Sequence, residues 1–338
     1  MRSRAISSLV LFVALLSCSA ERSSGPSDGT SLDPLPLGPA LGDPSLVIAF
    51  TTAEDSNRTM TSGSSIIALP PKCWITLATS DGRVRPMPSV CAYSLSWAPD
   101  GKHIAYQAPD GIWTVRADGT DARHVDGTLS GVVGFTTPIW SRDATRLVAY
   151  DFTTLELAVV GLDDTGIRHL ASTYRQELSC GNWSPDGRSL LCARDRSLWE
   201  VDVDSDAVHE RIKLGVAELG QPKWSPDGSR IAFLVLQSGL QYVIGPFGSG
   251  SQIGPLPPDA GLWVMNADGT AVRQLVHEYV VNADWSPDGR TLLYAPRTPN
   301  KSMSGFYTIP SDGSGAPKLL IRDAAHTFTS GVVWAQAH

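Results

Sequence analysis

Trp183-Ser-Pro-Asp-Gly187 is the phrase on which the fold turns. It recurs as Trp97-Ala-Pro-Asp-Gly101, Trp224-Ser-Pro-Asp-Gly228 and Trp285-Ser-Pro-Asp-Gly289, with a degraded copy at Trp140-Ser-Arg-Asp-Ala144. After each copy comes a short β-prone run: His103-Ile-Ala-Tyr106, Leu147-Val-Ala-Tyr150, Leu190-Leu-Cys192, Ile231-Ala-Phe233 and Leu292-Leu-Tyr294. A second run then ends at another Asp-Gly turn, as in Ile112-Trp-Thr-Val115 before Asp118-Gly119 and Leu262-Trp-Val-Met265 before Asp268-Gly269.

Each phrase is a turn with a mechanism. Proline presets φ at the second position, Asp accepts local backbone hydrogen bonds, and Gly takes the left-handed position. The unit is therefore strand, hairpin, strand, second hairpin, and a repeat of about forty residues with four short strands is a propeller blade. In the degraded copy, which belongs to blade three, Ala144 stands where Gly is needed, so that turn is expected to be strained or reshaped.

The tryptophans at 97, 140, 183, 224, 285 and 334 step by 43, 43, 41, 61 and 49 residues. Gly331-Val-Val-Trp334 is a first strand with nothing after it, and Leu46-Val-Ile-Ala-Phe50 is a second strand with none before it. The C-terminal strand is expected to complete the N-terminal blade. The fold class that follows is all-β: a six-bladed β-propeller without the free sheet edge of a linear array. The tryptophans are expected to be core between neighbouring blades.

The Trp-Ser-Pro-Asp-Gly phrase, the Ile-Ala-Phe-like strand and Leu262-Trp-Val-Met-Asn-Ala-Asp-Gly-Thr270 resemble TolB-type (WD40-like) propeller repeats over residues 45–338. The resemblance implies fold more than function, because similar repeats serve transport accessories, peptidase propellers and lyases. TolB proteins carry an α/β domain before the propeller and are soluble in the periplasm. Here a tether and a leader stand in that place.

The leader is Met1 to Ser17, with Arg2 and Arg4 ahead of a short apolar run, which reads as a secretory signal. Leu15-Leu-Ser-Cys18 is similar to a bacterial lipobox, so Cys18 is expected to be lipidated and to become the mature N-terminus; an ordinary signal peptide containing a Cys is the alternative. Ser19, rather than Asp, follows it, which favours the outer membrane, facing the periplasm. Residues 18–44 are rich in Ser, Gly, Pro and Asp and read as a flexible tether. Gly25-Pro-Ser27-Asp-Gly29 within it matches a nucleophile-elbow motif by chance, because neither flank is a regular element. The formal net charge of −7 becomes −9 once the two leader arginines are removed. No Lys/Arg cluster is present, which argues against nucleic acid as a partner and leaves the lipid to hold the protein at a membrane.

Seven histidines are scattered without metal-ligand spacing, so neither a metal nor another cofactor is expected. The repeated aspartates Asp100, Asp186, Asp227 and Asp288 are accounted for by their turns, and no catalytic residue is assigned. Besides Cys18, the cysteines are Cys73, Cys91, Cys180 and Cys192. The hairpins place Cys180 opposite Cys192 and Cys73 near Cys91, giving two candidate disulfides, with four free core thiols as the alternative.

Three connections between second and third strands are long: about 51–72 in blade one, 235–260 in blade five and 295–304 in blade six. Consecutive blades send equivalent connections to one face, so these should gather into a lip beside the channel mouth. Tyr242, Ile244, Phe247, Pro255 and Leu256 are the candidate partner-binding residues there. A fold-back cap is the other reading of this insertion. The functional expectation is a monomeric, non-catalytic, membrane-anchored scaffold that binds an envelope protein, peptide or glycan. The alternatives are a propeller lyase or hydrolase, or a small-ligand or cation sensor, with its site in the central channel.

Overall fold

The computed structural model describes residues 47–53, 59–62, 65–68, 73–79, 84–87, 92, 94–108, 110–126, 137–151, 153–163, 166–176, 178–215, 218–236, 256–296, 305–322 and 328–334. These form six four-stranded antiparallel sheets, the blades of a β-propeller. Blade one is built from Phe328–Trp334, Val47–Ala53, Cys73–Thr79 and Val84–Met87, in that spatial order. The C-terminal strand is thus innermost and pairs with the first, Ile48 opposite Trp334 and Ala49 opposite Val333. Blades two to six follow the chain, with innermost strands Ser94–Trp97, Ile139–Trp140, Ser179–Trp183, Leu219–Trp224 and Val280–Trp285. A separate hairpin, Thr59–Ser62 with Ser65–Ala68, fills the long connection of blade one.

The core is six seams rather than one ball. Leu190 and Cys192 pack toward blade three, whereas Leu191 and Ala193, one residue out of phase, pack toward blade five. Alternation along a strand buried on both faces explains the unbroken apolar runs in the sequence. Each repeat tryptophan enters the seam with the preceding blade: Trp140 with Ala105 and Ile112, Trp183 with Val148 and Leu157, and Trp334 with Leu293 and Phe306.

The repeat turns share one hydrogen-bond pattern. In Ser184-Pro-Asp-Gly187 the Gly N–H donates to the Ser carbonyl at 2.9 Å. The Ser hydroxyl donates to the Asp carboxylate at 2.5 Å and accepts from the backbone N–H of Ser189 at 3.0 Å. Ser141, Ser225 and Ser286 repeat this wiring. Blade two has Ala98 instead, and there the His103 ring lies 2.5 Å from Asp100. Ala144 adopts φ +56°, beside +71° for Gly187 and +70° for Gly228, and its N–H still reaches Ser141 at 3.0 Å. The turn keeps its shape and an L residue bears the left-handed strain.

Candidate functional site

The six inner strands enclose a cavity of about 430 Å³, whose wall includes all six repeat tryptophans. Three of the indoles work as struts, while the Nε1 atoms of Trp97, Trp224 and Trp334 are buried without a partner among the described residues. Trp140 donates from Nε1 to the Ser96 carbonyl (3.2 Å), Trp183 to that of Ile139 (3.5 Å) and Trp285 to that of Lys223 (3.0 Å). In every case the acceptor is the residue just before the tryptophan of the preceding blade. Guanidiniums from the preceding blade cover three of the rings: Arg146 lies 5.1 Å from the Trp183 centroid, Arg211 4.9 Å from Trp224 and Arg230 5.1 Å from Trp285.

The position before each tryptophan faces the cavity, and it divides the wall in two. On blades one and three it is Val333 and Ile139, with Pro138 and Leu95 beside them, and on blade two it is Ser96, whose hydroxyl donates to the Pro138 carbonyl. On blades four to six it is Asn182, Lys223 and Asp284. Asn182 grips the backbone of Trp224, accepting from its N–H at 2.9 Å and donating to its carbonyl at 3.1 Å. Lys223 Nζ pairs with Asp284 Oδ1 at 2.9 Å, both side chains being largely buried. The other oxygen, Asp284 Oδ2, accepts the Trp334 N–H at 3.0 Å. These groups tie blade to blade across three successive seams.

Two acceptors in the same sector are left over. Gln221 donates from its amide nitrogen to the Val281 carbonyl at 3.0 Å, but its Oε1 is buried without a partner among the described residues, as is Asn282 Oδ1. Gln221 also takes φ +46° and donates its N–H to Ser179 Oγ. Arg142, on the cavity rim, donates to the Ser184 carbonyl, and burial pulls its pKa down. Among the described residues no group of three or more His, Cys, Asp or Glu side chains is placed to hold a metal. The arrangement can orient a ligand through hydrogen bonds and one apolar wall; both oxygens of its one carboxylate are committed to the fold.

Cys180 and Cys192 face each other on adjacent strands and are joined in a disulfide, with Cys180 on the cavity wall. Cys73 begins a strand opposite Ala53, while Cys91 and Cys18 lie outside the described residues, as do Tyr242, Ile244, Phe247 and Pro255. Leu256 is half-buried where the insertion re-enters blade five, next to Pro257, whose carbonyl contacts His277 Nε2 at 2.9 Å. The polar wall was not singled out by the sequence reading. Its signal was the variable position before each constant tryptophan.

Curated proteins named Tol-Pal system protein TolB match the chain. One, from Anaeromyxobacter dehalogenans strain 2CP-C, is 30% identical over 175 residues, and one from Anaeromyxobacter sp. strain K is 30% identical over 180. Each match covers 50% of this chain and 35% of the relative, so the chain spans about a third of the relatives' length. The solved TolB of Acinetobacter baumannii superposes with a TM-score of 0.63 at 17% identity, covering 88% of this chain and 68% of that one. The chain is a TolB-like β-propeller. A putative TolB from Agrobacterium tumefaciens (TM-score 0.55, 17% identity, 82% and 88% coverage) has the same fold. So does a chain of the nidogen/laminin complex (0.59, 10%, 87% and 100%), which shows how widely the TolB-like architecture is shared. No family model matches the chain.

Proposed function

We propose that this TolB-like propeller is a non-catalytic binding module of the bacterial cell envelope. It is held at the outer membrane through a lipid on Cys18 and engages an envelope protein, peptide or glycan on the face that carries its long connections. The observation that carries the reading is topological. Blades five, six and one are neighbours, and their second-to-third-strand connections leave the same face in an antiparallel blade. The relatives' names, which place those proteins in the Tol-Pal system, support an envelope role.

The test is affinity capture from envelope extract with residues 44–338 as bait, beside a version in which 237–255 is replaced by a short Gly-Ser turn. A partner held by the first and lost by the second supports the reading; partners indifferent to the exchange sink it. Metabolic labelling with a palmitate analogue, lost on Cys18→Ser, tests the anchor. The unpaired Gln221 and Asn282 oxygens favour a second reading, a small ligand bearing N–H or O–H donors inside the cavity.

A further inference from the structure

The cavity wall is irregular where it is polar and regular where it is apolar. On blades two and three the innermost strands pair with their neighbours without a break in register. On blades four, five and six the innermost strands bulge, between Cys180 and Asn182, between Gly220 and Lys223, and between Val280 and Asn282. A bulge gives up ladder pairing and re-aims the side chains around it. Blades two and three take their places in the ring without one, so closure does not require the three in succession.

Gln221 and Asn282 stand at two of these bulges, each three residues before its repeat tryptophan, and both line the cavity. Gln221 Oε1 and Asn282 Oδ1 are buried without a partner among the described residues. A buried acceptor left unpaired costs stability. Gln221 adds left-handed backbone at φ +46°, which a residue other than glycine disfavours. Unpaired acceptors and strain on adjacent blades of one cavity are the mark of a site shaped for something other than stability.

The lining also fixes the charge that the site accepts. Among the described residues lining it, Arg142, Lys223 and Asp284 are the charged ones. Lys223 and Asp284 neutralise each other at 2.9 Å, and Arg142 on the rim feels the carboxylate of Asp186. A charged ligand would lose its hydration without meeting a free counter-charge. A neutral ligand carries no such penalty. Across the ring from blades five and six lie blades two and three, which present Leu95, Pro138 and Ile139 to the cavity.

We infer that the cavity binds a neutral saccharide, free or as the end of a glycan. Its hydroxyls meet the Gln221 and Asn282 oxygens, and its C–H face lies toward Leu95 and Ile139. The inference rests on the second reading above, a small donor-bearing ligand in the cavity, and names its class. A hydroxyl both donates and accepts. It gives its hydrogen to an amide oxygen and takes one from Lys223 Nζ, which has three hydrogens and directs one at Asp284. The terminal torsion of an amide is soft, so each oxygen can turn toward a donor. The volume of about 430 Å³ falls within the roughly 300–1,000 Å³ of small-ligand sites.

The experiment is calorimetric titration of the full-length protein with glucose, galactose, N-acetylglucosamine and the trisaccharides maltotriose and chitotriose. Acetamide and urea serve as donor-bearing probes that are not sugars. At least one saccharide is expected to bind. Gln221→Met and Asn282→Leu should each weaken it at least tenfold, and Leu319→Ser, an exposed position on blade six, should leave it unchanged. Asn282→Leu should at the same time raise the thermal midpoint, because it removes an unpaired acceptor; a purely structural asparagine would give a fall. A trisaccharide preferred over its monosaccharide identifies a glycan end, and equal affinity identifies a free sugar. Saccharide binding indifferent to both variants, or a lowered midpoint in Asn282→Leu, would overturn the assignment. Binding of acetamide or urea alone, lost in the same variants, would overturn the saccharide and keep the donor-bearing ligand. Silence from every probe would overturn both.

Discussion

Ala144 stands at the left-handed position that the other repeat turns give to glycine, and its cost can be measured. A non-glycine residue at φ +56° carries about 1–2 kcal/mol of strain. Ala144→Gly should therefore stabilise the protein by about 0.5–1 kcal/mol, net of the greater entropy of the unfolded glycine. Urea denaturation checks it; an unchanged midpoint would mean that the turn has relaxed around the alanine. The neighbouring turns respond to acid. The Ser225 hydroxyl, with the N–H and hydroxyl of Ser229, holds the Asp227 carboxyl down to about 2. Unfolded, it titrates near about 3.9. The stability it contributes is complete above the unfolded value and is lost as pH falls through the folded one. Ser225→Ala should raise the Asp227 midpoint toward the ordinary range in a carboxyl NMR titration, and an unmoved midpoint would assign the effect to the N–H and hydroxyl of Ser229.

At the level of strands, the sequence was legible where one residue answers to one constraint. Trp, Pro, Asp and Gly recur because an indole strut and a tight hairpin each admit few residue types, so blade number, strand order and closure could all be read from them. The polar wall was harder to see. Asn182, Lys223 and Asp284 act through the strand of the next blade, and no spacing along the chain records which blade is next to which until the ring is built. Gly181 belongs with them: a Cβ there would stand 1.7 Å from the Pro222 carbonyl oxygen. It sits at the bulge between Cys180 and Asn182 that brings blades four and five together. Gly181→Ala should force that seam apart and cost about 2 kcal/mol or more, as overpacking does. The disulfide beside it closes a short loop, and Cys180→Ser with Cys192→Ser should cost about 3 kcal/mol by loop entropy. Non-reducing peptide mapping that finds free thiols at both positions would remove the basis for that figure.

For the whole ring, the decisive contact is the one the chain makes last. Phe328–Trp334 must find Val47–Ala53 across almost the entire sequence, and only the inner edge of blade one holds it by strand pairing. Asp284 adds a second hold from blade six, since the same carboxylate takes the Trp334 N–H and the Lys223 ammonium. Removing it leaves a largely buried cation without its counter-charge and a strand N–H without its acceptor, a loss of about 2–4 kcal/mol. Asp284→Asn keeps an acceptor for Trp334 but gives up the ion pair, so its loss should be smaller. The two variants thus separate latch from charge. In hydrogen exchange, Asp284→Ala should raise exchange first along 328–334 and then along 47–53, while blades three and four keep their protection. Uniform loss of protection around the ring would show instead that the propeller opens as one cooperative unit, with Asp284 contributing to global stability rather than to closure.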